Sequence, residues 1–316
     1  MDVDTGVDDA LALLAAVKEL SVNLLAVTCV SGNTDVERVV DNTLKVLEVA
    51  GATDIPVAKG ADCPLIEERR HAEHFHGRDG MADLGLGPSS REPVDLPAVE
   101  FVRRLLVDSA PSSVTLVCLG PLTNLALLLR AHPQVGSRLE RVVVMGGAMT
   151  GGNATPVAEF NVWADPEAAS IVFSSGLPVT MYGLDVFHQV TVAYRDVQKL
   201  KAAREPISDL AARLLEHLGQ ASDPNIEASG DDRICIGDAG ALCCTAHPNL
   251  LTTRRLPVAV ELSGSYARGQ TIVDRRYRPG EQEHHGHARL FAPVDVSVAV
   301  DADTVVDGFL RVLLSD

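Results

Sequence analysis

Four apolar, β-branched runs in this chain stop abruptly at Gly, Asn or Asp, and that punctuation restricts the fold more than any other feature. They are LLAVTCVSGN ending at Asn33, VTLVCLGPLTN at Asn124, RVVVMGGA at Ala148 and PVTMYGLD at Asp185. Continuous apolar strands of this kind are buried on both faces, as in a parallel sheet covered by helices. Helical patterns accompany them at Val36 to Ala50, Leu96 to Asp108, Leu122 to Ala131 and Pro166 to Ser174. The alternation predicts an α/β fold: an open, mostly parallel, doubly wound sheet with right-handed crossovers. After Asp238 a short helix precedes the runs LPVAVEL, GQTIVD and HARLFAPVDV. A small antiparallel excursion is therefore expected over about 256–300, before a final helix through Leu314.

The 316 residues read as a single domain, since no linker or internal repeat divides them. One long insertion loop is expected at about 63–93, from Cys63 to Pro93, where charge, His and Gly replace any periodicity. Lys plus Arg number 27 against 43 Asp plus Glu, a net charge of −16. That balance argues against nucleic acid or an anionic membrane as partner. Hydrophobic residues at 46% and charged residues at 22% are globular proportions. No apolar run reaches the roughly 18 residues of a membrane helix, and the opening MDVDTGVDD is acidic where a signal peptide is basic, so a cytoplasmic location is expected. Cys29, Cys63, Cys118, Cys235, Cys243 and Cys244 form no CxxC pair, which favours reduced, buried thiols over a zinc or disulfide framework. If the first strand runs into Asp4, only Met1 to Val3 precede it, against the usual five or six or so residues. Either residues precede Met1 in the native protein, or the first strand is unusually short.

Asp2, Asp4, Asp8 and Asp9 place four carboxylates within eight positions, with Gly6 between them and the apolar helix pattern ALALLAAV after them. A helix N-terminus offsets part of the repulsion, and a divalent cation offsets more. Oxygen ligands at a strand end select Ca²⁺ or Mg²⁺ over zinc. For Asp8 and Asp9 alone, simple charge complementation of the first helical turn is as good a reading as a cation site. It does not account for Asp2 and Asp4, whose carboxylates enter a buried strand end and are costly there without a partner. Ligands bind at the carboxyl ends of strands in open α/β sheets, so Asn33, the backbone of Leu119 and Gly120, Asn153 and Asp185 are expected to gather around Asp4. Taken singly, Asn33 and Asn124 read as turn or cap residues.

These segments resemble the inosine-uridine-preferring nucleoside hydrolases. The likeness starts with DVDTGVDDA at Asp2 to Ala10 and continues through SGN at Ser31 to Asn33, HGRDG at His76 to Gly80 and LGPLTN at Leu119 to Asn124. It extends through MGGA at Met145 to Ala148, GNATPVAEFN at Gly152 to Asn161, DPEAA at Asp165 to Ala169 and GLDVFHQ at Gly183 to Gln189, covering nearly the whole chain. The resemblance implies Ca²⁺-dependent hydrolysis of a ribonucleoside N-glycosidic bond to ribose and free base, in purine or pyrimidine salvage, by a homodimer or homotetramer. Carried over by position, Asp4, Asp9 and Asp238 are carboxylate ligands of Ca²⁺ and Leu119 supplies its backbone carbonyl. Ca²⁺ holds the attacking water, and Asp4 accepts its proton. Asp8, Asn153, Glu159 and Asn161 bind ribose hydroxyls, with Asn33 nearby and Met145 as a further substrate contact. Phe160 and His76 lie towards the base. The acidic pocket stabilises the oxocarbenium-like charge on the sugar, and metal-bound hydroxyls favour ribose over 2-deoxyribose.

One position departs from the pattern. The family commonly has His-Asp-Pro where this chain has Gly237, Asp238 and Ala239, so the His that protonates the leaving base is missing from its expected place. Loss of a general acid costs roughly 10²- to 10⁴-fold where the leaving group needs a proton, a loss that falls on pyrimidines. Two explanations stand: His76, His188 or a group in the segment Asp231 to Arg233 supplies the proton, or the base is a purine or another group that leaves with less help. Other features take plain structural readings. His71 and His74 read as solvated loop histidines, EQEHHGH from Glu281 to His287 as a solvated loop, Cys243 and Cys244 as small buried hydrophobes, and Trp163 as core. Two other readings stand beside the hydrolase one. One is a nucleoside- or ribose-binding protein with little turnover. The other is a Mg²⁺-dependent phosphatase of the haloacid-dehalogenase type, whose DxDxT opening DVDTG resembles although Gly6 stands where that family has an apolar residue.

Overall fold

A computed structural model of the chain describes residues 1–222, 233–276 and 292–315. The EQEHHGH segment and Asp231 lie outside the described residues. The strands are β1 (Asp2–Val3), β2 (Val27–Cys29), β3 (Val57–Lys59), β4 (Val114–Cys118), β5 (Leu139–Met145), β6 (Val179–Tyr182), β7 (Thr191–Ala193), β8 (Arg233–Cys235), β9 (Leu251–Val260), β10 (Thr271–Val273) and β11 (Ala292–Val300). Among the described residues nine of them form one sheet in the order β10-β9-β11-β6-β5-β4-β1-β2-β3, while β7 and β8 pair separately and antiparallel.

From β11 through β3 every neighbouring pair is parallel, and β9 lies antiparallel to both β10 and β11. The expected antiparallel excursion is thus present, and it continues the main sheet because β11 also pairs with β6. The two-residue β1 sits between β2 and β4, with Asp2 level with both Thr28 and Cys118. The chain winds outward to β3 on one side and to β6 on the other, so the order reverses between β1 and β4. A crevice opens at the carboxyl ends of those two strands.

Two apolar layers sandwich the sheet. On one face the helices Val7–Lys18, Val36–Val49, Pro206–Ser222, Gly237–Ala246 and Ala302–Leu314 share a core. On the other face lie Ala98–Asp108, Thr123–Ala131 and Pro166–Phe173. The Val7–Lys18 helix is rich in Ala and Leu, strong helix formers, and is buried all round from Val7 to Ala16 apart from Asp8.

The anticipated helices form with their ends displaced by a residue or two, whereas the strands stop well short of their apolar runs. In the first run the strand ends at Cys29 and leaves Val30 to Asn33 as a turn; in the last it ends at Tyr182 and the chain passes into a short helix, Leu184–Phe187. Beyond the ladder the N–H groups are satisfied one by one: Val30 and Ser31 donate to the Val3 and Ala61 carbonyls, and Asn33 donates to the Asp4 carboxylate. In the 63–93 segment the one regular element is the helical turn Glu73–His76. That segment leaves Cys63 exposed, contrary to the expectation of uniformly buried thiols. No helix among the described residues is long and apolar enough to cross a membrane.

Candidate active site

β1 delivers Asp4 to the crevice, and Gly6 starts the Val7–Lys18 helix, so Asp8 and Asp9 fall in its first turn. Asp9 reaches back to cap that turn: its carboxylate accepts from Gly6 N–H at 3.0 Å and from Asp4 N–H at 3.3 Å. The side-chain amide of Asn33 donates to Asp9 at 3.2 Å, and its backbone N–H donates to Asp4 Oδ2 at 2.8 Å. Asp4 Oδ1 is buried and has no hydrogen-bond partner among the described residues. Gly32 and Gly120 pack directly on this carboxyl: a Cβ on either would stand 2.1 Å and 2.7 Å from an Asp4 oxygen. Backbone alone fits there.

Asp238 enters from the first turn of the Gly237–Ala246 helix. One carboxylate oxygen from each of Asp8, Asp9 and Asp238 lies within 4.8 Å of the others, and Asp9 and Asp238 are fully buried. Burial, reinforced by the neighbouring carboxylates, pushes the Asp4 and Asp238 carboxyls well above the usual range and Asp9 up to about 7. Such a cluster keeps protons unless positive charge is placed among it. An all-oxygen donor set with an unpartnered buried oxygen fits a hard divalent cation.

Glu159 forms another buried acid, also raised by burial to about 7. Its two oxygens accept backbone N–H groups from Gly147, Asn161 and Val162 at 2.9–3.1 Å, which caps the Phe160–Ala164 helix and ties it to the turn after β5. Asn161 follows on that helix and donates to the carbonyls of Leu119 and Met145 at 2.6 and 3.1 Å, bridging the ends of β4 and β5. The Asn153 side chain accepts from Phe160 N–H at 2.9 Å. His76 is buried, which lowers its pKa, and its Nδ1 accepts from Val7 N–H at 3.2 Å. The neutral ring therefore carries its proton on Nε2.

These groups surround a cavity of about 950 Å³ whose lining includes Asp8, Asn33, His76, Leu119, Met145, Asn153, Glu159, Phe160, Asn161 and Asp238. Asp4 and Asp9 do not line it themselves, but both are hydrogen-bonded to Asn33, which does. Asp185 is not among the lining residues, contrary to expectation: its carboxylate accepts from Met149 N–H and the Thr150 hydroxyl, both at 2.7 Å, and holds the loop after β5. Trp163 is not core either. It is partly exposed and lines the cavity with the Arg70 guanidinium 3.9 Å from its ring centre, because Phe160 and Trp163, three apart, share one helix face. His71 and His74 also line the cavity, and His71 Nδ1 lies 3.1 Å from the Gly32 carbonyl, because the Glu73–His76 turn folds back over the site. Arg233 and His188, both considered as proton donors, do line the cavity, and Phe75, Phe187 and Cys235 are further lining residues that the sequence did not mark as contacts. The i, i+3 spacing of Phe160 and Trp163 was a usable signal; nothing local marked the others.

The family model described as inosine-uridine preferring nucleoside hydrolase matches residues 1–307. The chain is 38% identical over 301 residues to the pyrimidine-specific ribonucleoside hydrolase RihA of Escherichia coli O8 (strain IAI1), covering 95% of each protein. Among solved structures it is similar to a plant nucleoside hydrolase, the PpNRh1 enzyme, with a TM-score of 0.90 and 29% identity over 100% of this chain and 98% of that one. It is also similar to a purine-preferring ribonucleoside hydrolase from Gardnerella vaginalis, with a TM-score of 0.88 and 28% identity over 99% and 96% of the two chains.

Proposed function

The chain belongs to the inosine-uridine preferring nucleoside hydrolase family, and from that premise we propose that it hydrolyses the N-glycosidic bond of ribonucleosides to ribose and free base. The observation that carries this reading is the burial of Asp4, Asp9 and Asp238 near the switch point of the sheet, with Asp238 in the wall of a cavity of about 950 Å³. Relatives named for pyrimidine-specific and purine-preferring activities agree on the reaction and differ on the base.

Asp4, Asp9, Asp238 and the Leu119 carbonyl are the groups that would hold Ca²⁺, with Asp8 beside them. When bound, the cation neutralises the crowded carboxylates and makes a neighbouring water more acidic. Asp4 then serves as the base: Asn33 N–H holds Oδ2, and the unpartnered Oδ1 takes the proton of the attacking water. Asp8, Asn153, Glu159 and Asn161 orient ribose hydroxyls, with Asn33 and Met145 alongside, while Phe160 and His76 border the base. Glu159 does this from a fixed position, since three backbone N–H groups already hold it. The ring of acids also stabilises positive charge as it develops on the sugar.

The substrate is a small ribonucleoside, handled by one domain in a cytoplasmic homodimer or homotetramer. A reducing-sugar assay across ribonucleosides and 2-deoxyribonucleosides, with and without chelator, tests the proposal. Ribose release that chelator abolishes and Ca²⁺ restores is expected. Nucleosides that remain intact through prolonged incubation with Ca²⁺ would refute it.

A further inference from the structure

We propose that Phe187 is the specificity-determining residue of the base subsite, standing in the space of a side chain at position 237 and selecting purine ribonucleosides. The inference rests on the hydrolase reading above and goes beyond it. A Cβ added to Gly237 would lie 1.5 Å from Phe187 Cε2, 1.9 Å from Cδ2 and 2.1 Å from Cζ. The ring therefore occupies the space where any side chain at 237 would begin, and one excludes the other. Phe187 also lines the cavity together with Asp8 and Asp238, so that volume belongs to the substrate side.

The ring is held in place from several directions. Its residue ends the Leu184–Phe187 helix, with the backbone N–H donating to Gly183 O at 3.1 Å. The Phe187 carbonyl accepts the Cys235 thiol at 3.1 Å, and the ring meets His188 edge-on with centroids 5.3 Å apart. Phe160 and Trp163 add aromatic surface to the same cavity from a different helix. Aromatic contact grows with the face presented, so fused rings gain more from this lining than a single ring does.

The leaving-group chemistry points the same way. Water bonds to C1′ through oxygen, its proton passes to Asp4 and later to solvent, and the C1′–N electron pair departs with the base. Residue 237 has no proton to give, so the base takes its proton at a ring nitrogen from solvent or from His76 or His188 in the cavity wall. A purine spreads the departing charge over two fused rings and has further basic ring nitrogens open to water. A pyrimidine has one ring to carry that charge and lacks the imidazole nitrogen of a purine, so the loss of a donor at 237 falls harder on it.

The test is kcat/KM for inosine, adenosine, guanosine, uridine and cytidine with the wild type, F187A, F187L, G237H and the double variant F187A/G237H, with the Tm of each. The wild type is expected to favour purines by about tenfold or more. F187A and F187L, the latter keeping bulk without a flat face, are expected to lower purine kcat/KM about tenfold, chiefly through KM, and to narrow the ranking. G237H alone loses activity on every base. The double variant is expected to exceed F187A on uridine by at least about tenfold, with activity falling as pH rises past about 6.5, where an imidazole loses its proton. Uridine or cytidine turned over by the wild type as readily as purines would overturn the proposal, and that panel decides even if a variant fails to fold. A uniform effect of F187L on all five substrates overturns it as well. Absence of ribose from every nucleoside with folded wild type removes the hydrolase reading and this inference together.

Discussion

Removing divalent cations should make this protein less stable as pH rises, the reverse of ordinary acid denaturation. Asp9 is fully buried, and its pKa is raised from 3.8 to about 7 by burial first and by the Asp8 charge second. A carboxyl with a raised folded pKa binds more protons folded than unfolded between those two values, so stability falls as pH climbs through that window. At roughly 1.4 kcal/mol per pH unit, ionising Asp9 in the chelated protein at pH 8 costs on the order of 4 kcal/mol relative to pH 4. With an unfolding entropy of about 2.1 cal/mol/K per residue, that corresponds to a fall in Tm of about 6 °C for 316 residues. Asp4, Asp238 and Glu159 shift in the same direction and add to the trend. The assay is thermal unfolding in chelator and in millimolar Ca²⁺ at intervals from pH 5 to 8.5. The Ca²⁺-induced rise in Tm should be small at pH 5, where protons compete for the same oxygens, and should grow towards pH 8. D238N should lose most of that growth. A Ca²⁺ effect that is constant across pH, or a chelated protein that gains stability between pH 5 and 8, would refute the reasoning.

Three further outcomes are expected. D4N removes the proton acceptor and should lower kcat by roughly 10²- to 10⁴-fold with little change in KM, while its chelated form loses less stability towards high pH because a buried carboxyl that must ionise there is gone; a kcat within threefold of wild type would count against Asp4 as base. N161A strips the Leu119 and Met145 carbonyls of their shared donor and should cost about 1–3 kcal/mol in urea unfolding together with a raised KM. N124A should cost a similar amount or more, because Asn124 donates to Asp2 and to the Cys29 carbonyl and accepts from Ala61 N–H. Its activity per folded molecule should stay within a few-fold of wild type, since Asn124 does not line the cavity, and steady-state kinetics on the soluble fraction check this.

Much of the architecture was legible in the chain. Apolar runs such as RVVVM and VTLVC have no polar face to offer solvent, so they read as strands buried between helices, and β4 and β5 are those strands. Strand ends were harder to read, because Val30 extends the apolar run into Ser31 to Asn33 and only the end of the ladder at Cys29 shows where pairing stops. Within the site, Asp4, Asp8 and Asp9 were visible as a local crowd, whereas Asp238 was found through resemblance alone, lying more than two hundred positions away. Trp163 was misread as core because composition favours burying an indole, while its helix face is set by Glu159, the cap that starts the turn. Asp185 was misplaced because a strand-end aspartate and a loop-bracing aspartate share the same local sequence.

Sequence by itself determined the period of each element, the density of carboxylates at the N-terminal turn and the absence of a donor at position 237. These are local properties, set by side-chain volume, charge and spacing along a few residues. Tertiary structure alone decided which oxygens share one buried space and what fills the gap at Gly237. Both depend on how β1, β4 and the Gly237–Ala246 helix are packed together. A carboxyl's pKa and a glycine's necessity are consequences of what lies across the crevice, and chain order carries no direct record of that.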